Sequence, residues 1–127
     1  DLGFRNICID NFSDERSDIG AMYENFIFCE LSKAGDNPKY WRTKSGAEMD
    51  FIIEKDGKII PLEVKTTLKE DKLTKSFHSF IEKYNPAQGY IFSLEYEGKK
   101  ESGGTKILYM PIVKIKLSYD KMIRSKI

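Results

Sequence analysis

The dipeptide Asp56-Gly57, set between two runs of strand-forming residues, constrains this chain more than any other feature. A pair of this type favours a two-residue hairpin turn of type I′, in which both central residues take positive φ. It predicts strands over Ala47 to Lys55 and Lys58 to Thr66 and sets their register: Lys55 faces Lys58, Ile53 faces Ile60, Phe51 faces Leu62 and Met49 faces Val64. Beyond the lysines that face is apolar and has to be buried. The opposite face places Glu48, Asp50 and Ile52 against Lys65, Glu63 and Pro61. Asp50 and Glu63 then stand directly across from one another, with β-carbons about 5 Å apart. Like charges so placed weaken a sheet, so a positive group is expected between them. Lys65, on the same face two residues beyond Glu63, is one candidate, and a hard divalent cation bound by carboxylate oxygens is the other. A bulge in either strand would take Asp50 off that face.

Two amphipathic segments flank this strand region. From Ser17 to Ala34, the positions of Ile19, Tyr23, Phe26, Ile27 and Leu31 follow helical spacing, Gly35 supplies a stop, and Ser13, Asp14 and Ser17 are alternative N-caps. Glu24 falls on the border of that apolar stripe. Leu73, Phe77, Phe80, Ile81 and Tyr84 mark a second helix that ends before Pro86. Tyr40 to Arg42 reads as a short strand, Ser45-Gly46 as a turn, and Gln88 to Leu94 and Ile107 to Val113 as further strands, Pro111 favouring an edge or a break. Glu95 to Thr105 reads as a glycine-containing loop. The order α-β-β-β-α-β-β predicts one α/β domain over residues 1–127, a mixed β-sheet flanked by helices. A chain of 127 residues has room for one core.

Charge and cysteine use narrow the function classes less sharply. The net charge of +1 conceals an acidic body, −5 before Gly98, and a basic end of +6 from Gly98 onward. The fragment therefore has no dominant basic field to announce a nucleic-acid partner. Cys8 and Cys29 lack metal-binding spacing and are expected to be free, buried thiols. With no visible signal peptide, they point to the cytoplasm. No stretch is apolar enough for a bilayer. The chain begins at Asp1 and is expected to be a piece of a longer protein. It contains no G-x-x-x-x-G-K-[ST] run, so nucleotide triphosphate binding is not expected in it.

Glu24, Asp50, Glu63 and Lys65 together have the make-up of a metal-dependent phosphodiester-cleaving site. Carboxylates can hold Mg²⁺ or Mn²⁺, and the lysine can orient a water or offset charge that builds on the phosphoryl group. Arg42, Lys44 and Lys75 are candidate phosphate contacts, set against the ordinary reading of such side chains as solvated. His78, the only histidine, reads as surface, and Tyr40 and Trp41 as core or rim rather than base-stacking rings.

Asp50 followed by Glu63-Val64-Lys65, with Glu24 on the preceding helix, resembles the PD-(D/E)XK, or restriction-endonuclease-like, superfamily. More closely, Asp1 to Asn6, Gly20 through Glu24-Asn25, Tyr40 to Lys44, Glu48 to Phe51 and Pro61 to Lys65 look like the uncharacterised C-terminal domain that follows an AAA-type ATPase module in many archaeal and bacterial proteins. The resemblance implies a restriction-endonuclease-like fold and Mg²⁺ or Mn²⁺ as cofactor. It implies that Asp50, Glu63 and the Val64 carbonyl are metal ligands, with Lys65 as the catalytic lysine and Glu24 as the helix carboxylate. Met49 stands where the superfamily's name places proline. The implied activity is hydrolysis of nucleic-acid phosphodiesters, DNA first among them, with the ATPase module as a partner and a homo-oligomer compatible with it. The alternative is a catalytically silent nucleic-acid-binding or regulatory module of the ATPase.

Overall fold

The Asp56-Gly57 turn forms as its residue types dictate, with φ of 52° and 77°. The computed structural model describes residues 17–68, 70 and 72–114. Their elements are α1 (Ser17–Lys33), β1 (Lys39–Arg42), β2 (Glu48–Lys55), β3 (Lys58–Val64), α2 (Lys75–Tyr84), β4 (Gln88–Ser93), β5 (Gly98–Ser102), β6 (Thr105–Pro111) and a 3₁₀ turn at Ile112–Lys114. The strands form one six-stranded sheet in the order β1-β2-β3-β4-β6-β5. β1, β2 and β3 are mutually antiparallel, β3, β4 and β6 run parallel, and β5 pairs antiparallel to β6 at the edge. The α/β mixed-sheet architecture expected from the sequence is therefore the one observed. Cys8, the N-cap candidates Ser13 and Asp14, the Asp1 to Asn6 motif and the basic segment after Lys114 lie outside the described residues.

Strand alternation sorts the core onto two faces. Ile60, Leu62 and Val64 of β3 join Tyr90 and Phe92 of β4 beneath Ile27 and Leu31 of α1. Ile91, Ile107 and Tyr109 point the other way and meet Phe77, Phe80 and Ile81 of α2. β4 is buried along nearly its whole length, as a parallel strand covered on both faces must be. Gly89 in this strand allows a close approach, because a β-carbon there would lie 2.7 Å from the Phe77 ring. α2 starts at Thr74, whose side chain accepts the Phe77 N–H, and ends at Asn85 in the left-handed conformation. Leu73 lies ahead of that cap rather than within the helix, although it remains buried.

Three expectations are corrected. The β2–β3 ladder follows the anticipated register from Lys55–Lys58 to Phe51–Leu62, but neither Met49 opposite Val64 nor Asp50 opposite Glu63 is among its pairs. The cause is an irregularity in β2: Lys39 of β1 faces Ile52 while Trp41 faces Met49, so three steps along β2 answer two along β1. Met49 is thereby carried to the α2 face, away from Phe51 and Ile53. Second, Gly98 to Ser102 is a strand, not a loop. It closes a hairpin with β6 through Gly103-Gly104, both at positive φ. Its run of charges hid the alternation, since an edge strand keeps one side in water. Third, Cys29 is buried and disulfide-bonded, so it is not a free thiol. Burial suits a bridge as well as a thiol, and the thiol argument for a cytoplasmic setting loses its basis. Pro111 is the last residue of β6, where a missing N–H ends the strand.

Candidate functional site

The irregularity in β2 builds the site. In an antiparallel ladder the hydrogen-bonded pairs alternate, so after Phe51–Leu62 the next bond would join the Val64 N–H to the Met49 carbonyl. With Met49 displaced, Val64 N–H donates instead to Asp50 Oδ2 at 2.8 Å. The strands part here, and the end of β3 is held from its other side by Lys65 N–H donating to the Phe92 carbonyl at 2.7 Å. A cavity of about 310 Å³ opens at this point, lined by Glu24, Glu48, Asp50, Glu63 and Lys65 together with Val64. Glu24 reaches it from α1, so both sides of the sheet contribute. Asp50 and Glu63 come together, but through the parting of the strands rather than through direct cross-strand pairing.

Each acid is anchored differently. Glu63 is 5 % exposed and receives the Thr74 hydroxyl, 3.1 Å from each carboxylate oxygen. Lys65 Nζ lies 3.4 Å from Glu63 Oε1, with its side chain half-exposed. Asp50 is partly buried, and Glu24 stands at the exposed rim. Burial is the main cause that pushes all three carboxyls above their ordinary range. Lys65 opposes the shift at each of them, and the Val64 N–H does so at Asp50. Neighbouring acids add to it: Asp50 and Glu48 at Glu24, Glu48 at Asp50, and Asp50 at Glu63. Lys65 thus faces the three carboxyls of Glu24, Asp50 and Glu63, while Glu48 pairs with Arg42, and the remaining electrostatic shortfall is one that a cation would relieve.

Residues 19–113 match the model of a family described as a domain of unknown function, DUF4143. The chain belongs to the DUF4143 family. No curated protein matches it.

In this DUF4143 chain, Glu24, Asp50, Glu63, Val64 and Lys65 share one cavity, whereas Arg42, Lys44 and Lys75 do not line it. Arg42 touches its edge, with Nε 3.4 Å from Glu48 Oε1, and the pair is exposed. Lys44, Lys75 and His78 are also exposed. Trp41 is a packing residue, its ring edge-on to Phe80 and its Nε1–H donating to Tyr84 OH at 3.2 Å. Two participants were not singled out from the sequence. Thr74 caps α2 and donates to Glu63, and Ser76 Oγ accepts the Glu48 N–H at 3.0 Å. The start of α2 therefore ties the acidic ends of β2 and β3 together. Thr74, directly before a periodic segment, carries the usual N-cap signal; its bond to Glu63 has no local signature.

Among the described residues, no group of three or more His, Cys, Asp and Glu side chains is placed to hold a metal ion. Mg²⁺ commonly uses one or two protein carboxylates and keeps several waters. The all-oxygen character of Asp50, Glu63 and the Val64 carbonyl fits that chemistry. The bonds from Val64 and Thr74 use only part of each carboxylate's lone-pair capacity. Among the described residues, no helix is long and apolar enough to cross a membrane.

Proposed function

We propose that this chain is a divalent-metal-dependent, nuclease-like domain of the PD-(D/E)XK type that hydrolyses nucleic-acid phosphodiester bonds, with DNA as the first substrate to test. The observation that carries the proposal is the convergence of Asp50, Glu63, Lys65 and Glu24 in one polar cavity at the parted ends of β2 and β3. Asp50, Glu63 and the Val64 carbonyl would hold Mg²⁺ or Mn²⁺. When bound, the ion polarises a phosphoryl oxygen and makes its water more acidic. Lys65 offsets negative charge on the phosphoryl group and orients the attacking water. Glu24, at the rim and with its pKa raised by burial and by Asp50, is suited to take up the proton that water loses. Thr74 keeps the Glu63 carboxylate from turning away. The resemblance to ATPase-linked domains supplies the setting, in which an ATPase module is the partner in the longer protein. A cytoplasmic location follows only from the nucleic-acid substrate.

One observation favours a second reading, a catalytically inactive nucleic-acid-binding or regulatory module. Lys65 is already paired with Glu63, and Asp50 with the Val64 N–H, so the cluster is partly satisfied by its own members. Calorimetric titration of Mn²⁺, run alongside cleavage of DNA and RNA, decides between them. The nuclease reading expects binding that disappears in Asp50→Ala, and Mn²⁺-dependent cleavage that disappears in Asp50→Ala and Lys65→Ala. Nucleic-acid binding without Mn²⁺ uptake or cleavage would establish the inactive module instead.

A further inference from the structure

β1 sends its two neighbouring rings to different fates. Trp41 is spent on the α2 face, but Tyr40 is 70 % exposed, the most exposed ring among the described residues. The Arg42 guanidinium lies 5.3 Å from the Tyr40 ring centre, on the same side of the strand. Because Lys39 faces Ile52 and Trp41 faces Met49, Tyr40 stands across from the two residues Asp50 and Phe51. Adjacent strands are about 5 Å apart, so the Tyr40 backbone stands one strand-width from the backbone of Asp50, whose carboxylate lines the cavity. Arg42 continues the line, through Glu48, to the cavity wall. From Lys39 to Lys44, an edge strand and the turn after it, there are three cations and no acid, beside a cluster of acids.

An exposed π-face, a guanidinium against it and basic neighbours are what a stacked nucleobase and its phosphate require. Within a duplex the bases cover one another's faces, so away from its ends such a ring is used by an unpaired nucleotide. We propose that Tyr40 and Arg42 form a stacking platform for an unpaired nucleobase beside Asp50, and that the substrate class of this site is single-stranded or frayed nucleic acid. This rests on the reading of the site as one that takes nucleic acid. Tyr40 supplies stacking area, Arg42 contacts the phosphate of the stacked nucleotide, and the neighbouring phosphodiester is delivered toward the carboxylates. The platform sets specificity and takes no part in bond breaking.

Fluorescence anisotropy in EDTA tests it without cleavage, using a labelled oligothymidine strand and a labelled long two-stranded DNA duplex. The expected result is tighter binding of the single strand, a loss of about 5- to 150-fold for that strand in Tyr40→Ala, and nearly unchanged binding in Tyr40→Phe. Tyr40 is exposed, so these variants fold as the parent does. The proposal is overturned if Tyr40→Ala binds the single strand like the parent, if the duplex binds as tightly as the strand, or if neither binds. Asp50-dependent Mn²⁺ uptake without oligonucleotide binding would remove the platform and leave the metal site. Tyr40-dependent strand binding without metal uptake or cleavage would remove the nuclease and leave the platform.

Discussion

Near its turn, the β2–β3 hairpin pairs Ile53 with Ile60 and Phe51 with Leu62 in unbroken register, and those side chains go into the α1 core. At its open end the same two strands separate, Met49 crosses to the other face, and a carboxylate takes a backbone N–H that a carbonyl would otherwise receive. The chemistry of one end would be ruinous at the other. Buried carboxyls with raised pKa values cost stability, and the regular ladder beside them supplies the stability they use. Fold and site are thus divided along one hairpin within a few residues, and substitutions can show how complete the division is.

The largest effect is expected at the regular end. Leu62 is fully buried, and Leu62→Ala should lower unfolding free energy by about 2–5 kcal/mol, read as a shifted urea midpoint. Lys65→Ala should do the reverse: cleavage falls by about 10²–10³-fold, as for loss of one electrostatic stabiliser, while the urea midpoint moves little. If Lys65→Ala instead unfolds the chain, the two ends are not separable. Gly57→Ala, which forces a β-carbon onto a residue at φ 77°, should cost about 1 kcal/mol in the same denaturation measurement and leave Mn²⁺ affinity unchanged.

The smallest effect is on pH dependence and belongs to the open end. Asp50, Glu63 and Glu24 have folded pKa values above their unfolded ones, so the folded state binds more protons between the two. Metal-free stability should therefore be fullest below the ordinary carboxylate range and fall as pH rises through the raised values. Asp50→Asn should flatten that fall in thermal melts across pH, and an unchanged slope would show that Asp50 carries no burden.

Much of this architecture was legible because local and global signals agree in it. Asp56-Gly57 demanded one turn, and the alternation from Phe51 to Ile53 and Ile60 to Leu62 gave that turn a buried face. In both helices the apolar stripes match the residues that pack: Ile27 and Leu31, then Phe77, Phe80 and Ile81. The β2 irregularity was not legible, since Glu48-Met49-Asp50-Phe51 alternates equally well in either frame, and only the pairing with β1 selects one. β5 was hidden because Lys99 and Glu101 point to water while Gly98 and Ser102 offer no apolar signal. The residue types of the candidate site converge, but by a different backbone route from the one a regular register implies. Thr74 and Ser76 carry no local sign of their bonds to the site because their partners lie on β3 and β2, far away in the chain.

The irregularity in β2 also makes the corner a matter of counting. Removing one residue between Met49 and Ile52 would let β1 and β2 run in step, leave Met49 on the α2 face by simple alternation and bring the Glu48 carbonyl of β2 opposite the Val64 N–H. The shortened chain would hold a better sheet and no acidic corner. Side-chain replacements around the cavity can therefore accumulate without erasing it, whereas a single three-nucleotide deletion in the gene would close it at a stroke.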